Sequence, residues 1–180
     1  GTPNPAFKHW LDMDNYIDYL VMNFYTGNRD WPGHNWYAGL NRVNPQGFKC
    51  FSWDAEHVMG LGFSGGLNEN ATTVSGSIAE PYTELRSNSE FRLRFGDRAH
   101  RALFNGGPCY VDPDQPQWDP QHPERNRPGA LYAELADWVE GGIIGESARW
   151  GDVSGGRTYT LTDWKQQRDW ILNTYTSQRS

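Results

Sequence analysis

Three side chains that suit phosphoryl-transfer chemistry follow one another in the first third of the sequence. The acid Asp30 is followed five residues later by the amide Asn35, and a second acid, Asp54, comes after two short β-rich runs. Phosphoryl transfer asks the protein mainly to position the acceptor and to neutralise charge with divalent cations. Amide and carboxylate oxygens are the ligands that Mg²⁺ prefers. The three residues therefore predict a metal-assisted phosphotransfer site.

The order of these residues matches the order in protein-kinase active sites. There, an Asp in the catalytic loop contacts the substrate hydroxyl, an Asn five positions later binds a metal ion, and a second Asp holds metal at the nucleotide phosphates. On this pattern Asp30 is the catalytic residue, and Asn35 and Asp54 are metal ligands. Asp and Asn are also ordinary turn formers, so the pair in the loop has little weight without its context.

A helix is expected immediately before the loop. Apolar residues recur at helical spacing from Ile17 to Phe24, and an acid at Asp12 or Asp14 predicts the start of the helix. Gly27 suits the left-handed residue that follows a helix end. This helix would be the buried element that positions the loop.

A hairpin is expected after the loop. The runs 36–42 and 48–53 have strand character, and the turn-rich link 44–47 has the right length to join them. The second strand would deliver Asp54 beside the loop. His34 is interpreted as a hydrogen-bonding scaffold residue, and His57 as a surface residue rather than a metal ligand.

Four segments of the sequence resemble the CotH family of bacterial spore-coat kinase-like proteins. They are NYIDYL from Asn15, NRDWPGHNWY from Asn28, FSWD from Phe51 and ESARWGD from Glu146. The likeness spans almost the whole chain, and the segment ending at Asp152 is fairly specific to that family.

The resemblance implies an α+β, mainly helical fold similar to the C-terminal lobe of an atypical protein kinase, with a small β-hairpin. It implies transfer of a phosphoryl group from ATP to a protein hydroxyl, with Asp30 catalytic and with Mg²⁺, or Mn²⁺ or Ca²⁺, held by Asn35 and Asp54. Family members carry a nucleotide-binding half ahead of the catalytic loop, and only 29 residues precede Asp30 here. We therefore expect residues 1–180 to be a single domain, the C-terminal lobe of a longer polypeptide, and to be inactive without the other lobe.

Composition limits the other classes of function. The chain has 180 residues, of which 37% are hydrophobic and 21% charged, as expected for one domain with a modest core. Its net charge of −6 argues against a nucleic-acid binder. No apolar run is long enough for a membrane span. Cys50 and Cys109 lack metal or redox spacing and are expected to pack as small apolar residues.

The middle of the chain predicts a loop and two helices. Residues 60–76 are rich in Gly, Asn and Ser, but no Lys follows at P-loop spacing, so a mobile loop is favoured over a phosphate cradle. Helices are expected over 79–87 and 89–105. The second carries four arginines, which are interpreted as a solvated face rather than an acidic-substrate site: Arg92, Arg94, Arg98 and Arg101.

The last third predicts a surface loop followed by helices. The loop spans 112–127, and an apolar stripe of Leu131, Leu135, Trp138 and Val139 then precedes Gly141 and Gly142. A short turn or helix over 146–150 should place Arg149 in a buried ion pair that clamps two segments. Thr162 and Asp163 are expected to cap the final helix.

A second class of function stays open from the sequence. The chain could be a non-catalytic assembly module, or a module that binds carbohydrate or protein through exposed aromatics, in a larger bacterial surface or coat protein. The sequence contains no Gly-rich loop paired with the downstream Lys and Glu that grip nucleotide phosphates in kinases. Asp30, Asn35 and Asp54 favour the enzymatic interpretation.

Overall fold

The computed structural model describes residues 10–43, 46–60, 66–152 and 156–179. The described chain is mainly helical and contains a two-stranded antiparallel sheet, which confirms the predicted α+β class. It divides into two compact units, the first built from residues up to Ala102 and the second mainly from Leu103 onward, with residues 60–63 also assigned to the second. The assignment of 1–180 to a single domain stays a prediction.

The regular elements have the following bounds. The helices are α1 (Met13–Thr26), α2 (Glu80–Leu85), α3 (Ser89–Leu103), α4 (Arg127–Trp150), α5 (Leu161–Trp170) and α6 (Thr176–Gln178). The strands are β1 (Trp36–Gly39) and β2 (Lys49–Ser52). Short 3₁₀ segments cover Ala71–Thr73, Ser77–Ala79 and Pro123–Arg125, and a π-helical turn, Ile171–Tyr175, joins α5 to α6.

Helix α1 begins and ends where the sequence predicts. The Asp12 side chain accepts a hydrogen bond from the Asn15 backbone N–H at 3.1 Å, which satisfies one of the unpaired amides of the first turn. Gly27 has a φ of +61°, in the left-handed region that glycine adopts without strain. Ile17 and Leu20 are completely buried, so the predicted apolar face is the core of the first unit.

The hairpin packs with one face on α1. Its register pairs Trp36 with Ser52 and Gly39 with Lys49, so both strands are shorter than predicted. Cys50 on the inner face is buried, its backbone N–H donates to the Asn15 side chain at 2.6 Å, and burial raises the pKa of its thiol to about 11. Of the predicted link between the strands, residues 44 and 45 lie outside the described part of the chain.

The arginines of α3 do more than face solvent. Arg94 donates to the Asp14 carboxylate at 2.7 Å, and Arg98 makes a two-pronged contact with Asp18, so these two side chains tie α3 to α1. The Arg94 guanidinium holds the pKa of the Asp14 carboxyl below its usual value. The predicted solvated face is wrong for these two positions, because their acidic partners lie 80 residues away in sequence. Partly exposed pairs of this kind typically stabilise by at most about 1 kcal/mol each.

Helix α4 in the second unit is continuous from the predicted apolar stripe to Trp150, so the short turn or helix predicted over 146–150 is its last part. It runs through Gly141 and Gly142 without a left-handed residue, since helix interiors tolerate glycine at a cost of about 1 kcal/mol. The expected apolar stripe is exposed, with 73% of Trp138 accessible, whereas the buried side chain of this stretch is Ala136. The predicted stripe is therefore not the buried face of α4.

A buried asparagine anchors the start of α4. Asn126 is completely buried, and its side-chain oxygen accepts from the Gly129 backbone N–H at 2.8 Å. Its amide nitrogen donates to the Pro116 carbonyl at 3.0 Å and to the Thr176 hydroxyl at 3.1 Å. The proline-rich loop before α4, predicted as a surface loop, is thus held at its end by a buried cap.

Helix α5 begins two residues earlier than predicted. Its N-cap is Thr160, and Asp163 accepts from the backbone N–H and the hydroxyl of Thr160 at 2.8 Å each. This is the reciprocal capping box, in which the acid at the third helical position satisfies the cap residue. Asp163 is therefore part of the cap, but Thr162 lies inside the helix.

The prediction of a buried Arg149 is wrong. Arg149 is exposed at the end of α4, with its guanidinium 4.8 Å from the centre of the Trp150 ring. Among the described residues, no acid lies within ion-pair distance of it. The residue contacts its own neighbour instead of clamping two segments.

Arg149→Lys should change the free energy of unfolding by less than about 0.5 kcal/mol, because the exposed side chain loses only a ring contact.

Asn126→Ala should lower the free energy of unfolding by about 2 kcal/mol or more, since it removes three hydrogen bonds at a buried site. Urea unfolding of the two variants beside wild type measures both. A large loss in Arg149→Lys would show that the guanidinium has a structural partner.

Candidate active site

The loop that carries Asp30 is fixed to the end of α1 by a buried pair of asparagines. The Asn28 amide donates to the Asn23 side-chain oxygen at 2.9 Å, and both residues are buried. The Asn28 side-chain oxygen accepts from the backbone N–H groups of Asp30 and Trp31 at 3.2 and 3.3 Å. Sequence reasoning missed these positioning residues, although Asn at the start of a loop is a known signal for such a turn.

Trp31 secures the other side of the loop. Its ring is buried, and it meets the Tyr19 and Phe24 rings of α1 edge-to-face, with centroids 6.1 and 5.7 Å apart. Because the tryptophan fills the core, the preceding Asp30 is directed to the surface, where its side chain is 38% exposed. A partly exposed carboxylate on an anchored loop can meet an incoming substrate without a large rearrangement.

Asn35 joins the two predicted acids. Its amide nitrogen donates to the Asp30 carboxylate at 3.1 Å and to the Asp54 backbone carbonyl at 2.9 Å. Asn35 and Asp54 have φ values of +59° and +46°, a left-handed conformation that Asn and Asp tolerate better than most residues. The structure therefore brings the three predicted residues together, Asp30 by its side chain and Asp54 by its backbone, while the Asp54 side chain is exposed.

The hairpin supports this arrangement directly. The backbone N–H of Trp53 donates to the Asn35 carbonyl at 2.9 Å, so the end of β2 is held against the loop. The backbone N–H of His34 donates to the Asp30 carbonyl at 2.9 Å, and the His34 side chain is exposed. The scaffold role expected of the His34 side chain is carried by its main chain.

His57 belongs to the site rather than to an unrelated surface. Its Nε2 atom lies 3.8 Å from an Asp30 carboxylate oxygen and 3.6 Å from a Glu56 oxygen. One ligand atom from each of the three residues falls within 4.8 Å of the others. His57 is thus a partly exposed residue beside Asp30, and its alternative interpretation as a metal ligand stays a prediction. Glu56 was missed. The signal was available, since Asp54, Glu56 and His57 place three possible ligands within four residues.

The site offers two sets of donor atoms for a cation. The first is the predicted one, the Asn35 side-chain oxygen and the Asp54 carboxylate, although the contact between these two residues joins the Asn35 amide nitrogen to the Asp54 backbone carbonyl. All-oxygen donors fit Mg²⁺, Mn²⁺ or Ca²⁺. The second set, Asp30, Glu56 and His57, adds a nitrogen, which suits Mn²⁺ or Zn²⁺ better than Mg²⁺.

The segment after the site belongs to the described chain from residue 66 onward. Beyond residues 61–65, which lie outside the described chain, Asn70 caps a 3₁₀ turn over Ala71–Thr73. Glu69 lies 3.7 Å from the Arg29 guanidinium, next to the loop that carries Asp30. This ion pair links the segment to the loop, and the expected mobility of 60–76 stays a prediction.

Comparison with protein-family models, with curated proteins and with solved structures finds no significant match to this chain. The resemblance to the CotH family therefore depends on the sequence segments alone. Within the described ranges, every helix is too short or too polar to cross a lipid bilayer.

Asn28→Ala should lower the free energy of unfolding by about 2 kcal/mol, because it leaves buried amide groups of Asn23 and the loop unsatisfied. The backbone amides of Asp30 and Trp31 should then exchange with solvent faster. Hydrogen exchange followed by NMR measures this, with Asn70→Ala as the matched control, since Asn70 accepts similar turn hydrogen bonds at an exposed position. Equal effects of the two substitutions would show that Asn28 does not organise the loop.

Proposed function

We propose that this chain is the catalytic half of a CotH-like atypical protein kinase, which transfers a phosphoryl group from ATP to a protein hydroxyl. The observation that supports the proposal best is the Asn35 amide, which holds the Asp30 carboxylate and the Asp54 backbone in one small region. Asp30 and Asp54, which are 24 positions apart in sequence, would not need such a bridge if they were unrelated turn formers.

Asp30 is proposed to act on the acceptor. One of its carboxylate oxygens takes the hydrogen bond from Asn35, and the other has no hydrogen-bond partner among the described residues. That second oxygen is available to accept a hydrogen bond from a substrate hydroxyl, which orients the nucleophile and receives its proton as the bond to phosphorus forms. The interaction strengthens in the transition state, so Asp30 would affect the rate of transfer more than substrate binding.

Asn35 and Asp54 are proposed to hold Mg²⁺, or Mn²⁺ or Ca²⁺. When bound, such an ion neutralises charge on the nucleotide phosphates and aligns the transferred group. The contribution of the chain itself is the hydrogen bond from the Asn35 amide nitrogen to the Asp54 backbone carbonyl, which keeps the two residues next to each other. In this proposal the described fold is the C-terminal lobe, and a second, N-terminal lobe of the same polypeptide grips the nucleotide.

Exposed aromatic side chains favour a second candidate function. Tyr37 and Phe51 stack at 5.0 Å on the outer face of the hairpin, and Trp53 meets Tyr37 edge-to-face at 6.4 Å. All three are exposed, and such a cluster is typical of a binding surface. A non-catalytic module that binds a protein or carbohydrate partner would use this surface and leave the acidic site idle.

A metal titration distinguishes the two donor sets. Mn²⁺ should broaden NMR signals around Asp54, with weak affinity because the nucleotide phosphates that complete the ligand set are absent. Asp54→Ala should abolish the broadening, and Glu56→Ala should leave it unchanged. Loss of broadening in Glu56→Ala alone would move the ion to the set of Asp30, Glu56 and His57.

Catalysis is tested in a polypeptide extended upstream to include the proposed nucleotide-binding lobe. Asp30→Ala and Asp54→Ala should each reduce phosphate incorporation by about 10²-fold or more, and only Asp54→Ala should weaken binding of Mg-ATP. Removing Asp54 removes an anchor of the ion at the phosphates, whereas removing Asp30 leaves the nucleotide site intact. Phosphate transfer and calorimetry on the same samples provide the two readouts.

Two results would contradict the proposal. Wild-type transfer by Asp30→Ala would remove its catalytic role. An extended protein without affinity for nucleotides would favour the binding module instead. His34→Ala is the matched control, because its exposed side chain has no role in the proposed reaction.

A further inference from the structure

A cavity of about 620 Å³ lies in the second unit, between the last turns of α4 and the first turns of α5. Its described lining comes from Ile143 to Gly151 on one side and from Arg157 to Gln167 on the other. The volume falls in the range of sites for small molecules. None of these residues takes part in the proposed phosphotransfer, so the cavity needs its own explanation.

The last turns of α4 and the residue after them form one wall of this cavity. Glu146, Ser147, Trp150 and Gly151 all line it, and their spacing places them on one face of the end of α4. Gly151 allows a close approach of the other wall, because a Cβ there would lie 2.4 Å from the Tyr159 carbonyl oxygen. The Tyr159 backbone N–H donates to the Gly151 carbonyl at 2.7 Å, which fixes the two walls to each other.

Aromatic rings supply the apolar part of the lining. Trp150 and Tyr159 are 50% and 49% exposed, and Trp164 lies beside them on α5. Guanidinium groups of this same unit already cover one face of each ring, at 4.8 Å for Trp150, 5.1 Å for Tyr159 and 5.5 Å for Trp164. Half-exposed rings held in this way present flat apolar surface to a ligand at little cost in ordering.

The charges of the lining exclude most ionic ligands. The cation among the described lining residues, Arg157, is bonded to Asp163, and the negative charge of Glu146 is offset by the Arg149 guanidinium that lies on the Trp150 ring, so these four groups carry no net charge to attract an anion. A cationic ligand would seek the aromatic faces, but a guanidinium already lies on each ring and would repel a second positive charge. The cavity therefore favours an uncharged ligand.

The polar lining suits a ligand with several hydroxyl groups. The amides of Gln166 and Gln167, the Ser147 hydroxyl and the Glu146 carboxylate offer both donors and acceptors around the rings. Planar amides and carboxylates can each bond two neighbouring hydroxyls, while the apolar C–H face of a sugar ring covers an aromatic ring. The described residues of this unit contain no strand to which a peptide could add.

We propose that the cavity between α4 and α5 binds a neutral carbohydrate of one or two sugar rings, stacked on Trp150 and Tyr159 and hydrogen-bonded by Glu146 and Gln166. The proposal goes beyond the phosphotransfer function and does not depend on it. It gives the Glu146–Asp152 segment a role in recognition. In a larger protein, such a site would hold the chain at a glycan or at a glycosylated partner.

The test uses the 180-residue chain and three neutral disaccharides, cellobiose, maltose and N,N′-diacetylchitobiose, each at up to about 10 mM, a concentration that detects weak binding. The indole N–H signals of Trp150 and Trp164 should shift in ¹H–¹⁵N spectra with at least one of them. The signal of Trp138, an exposed tryptophan of α4 outside the cavity, should not move. Each signal is assigned from the corresponding Trp→Phe variant.

Trp150→Ala should weaken binding of that disaccharide about tenfold or more, and Gln166→Ala should weaken it less. Trp138→Ala is the matched control and should bind like wild type. Trp150→Phe keeps a ring in the cavity and should retain part of the affinity, so a folding defect in the alanine variant would not hide the result. Melting curves of each variant establish that it is folded.

Several outcomes would overturn the proposal. One is the absence of indole shifts with all three disaccharides, and another is equal weakening by Trp150→Ala and Trp138→Ala. Spermidine and inorganic pyrophosphate, tested at the same concentrations, represent cationic and anionic ligands. Tighter binding of either one at Trp150 would assign the cavity to a charged ligand instead of a neutral carbohydrate.

Discussion

The hydrogen-bonded pair of buried asparagines at the end of α1 is the contact on which the candidate site depends. An unpaired buried amide costs about 1 to 3 kcal/mol, so the hydrogen bond between Asn23 and Asn28 strongly favours a single arrangement of the two side chains. That arrangement determines where the loop leaves the helix and therefore where Asp30 lies. Asn35 is held to Asp30 and in turn holds the backbone of Asp54, so the position of all three residues follows from a core contact behind them.

The features predicted well from the sequence are those determined by nearby residues. The Asp12 cap and the left-handed Gly27 specify both ends of α1 through contacts within a few positions, and helical periodicity specifies its buried face. The meeting of Asp30, Asn35 and Asp54 was also predictable, because a short hairpin can return the chain only to the place where it started. Local chemistry was sufficient in each of these cases.

The features predicted poorly depend on partners that are remote in sequence. Arg98 finds Asp18 across 80 residues, and His57 finds Asp30 only after the hairpin has folded, so single-sequence patterns assigned both to the surface. The prediction for Arg149 was wrong in the opposite sense, because it assigned an exposed residue to the interior. The guanidinium expected in a buried ion pair lies on the adjacent Trp150 ring. A glycine inside a helix costs about 1 kcal/mol relative to alanine. At Gly141 the favourable interactions of the rest of α4 outweigh this cost, so the helix continues.

The two cysteines can report separately on the opening of the two compact units. Each compact unit contains one free thiol, Cys50 in the first and Cys109 in the second, and burial raises the pKa of both to about 11. Since the thiolate is the reactive form, an alkylating reagent at neutral pH reacts with either cysteine mainly when the surrounding structure opens. The rate at which each cysteine is modified therefore measures how often its own unit opens, and no label has to be added to the protein beforehand.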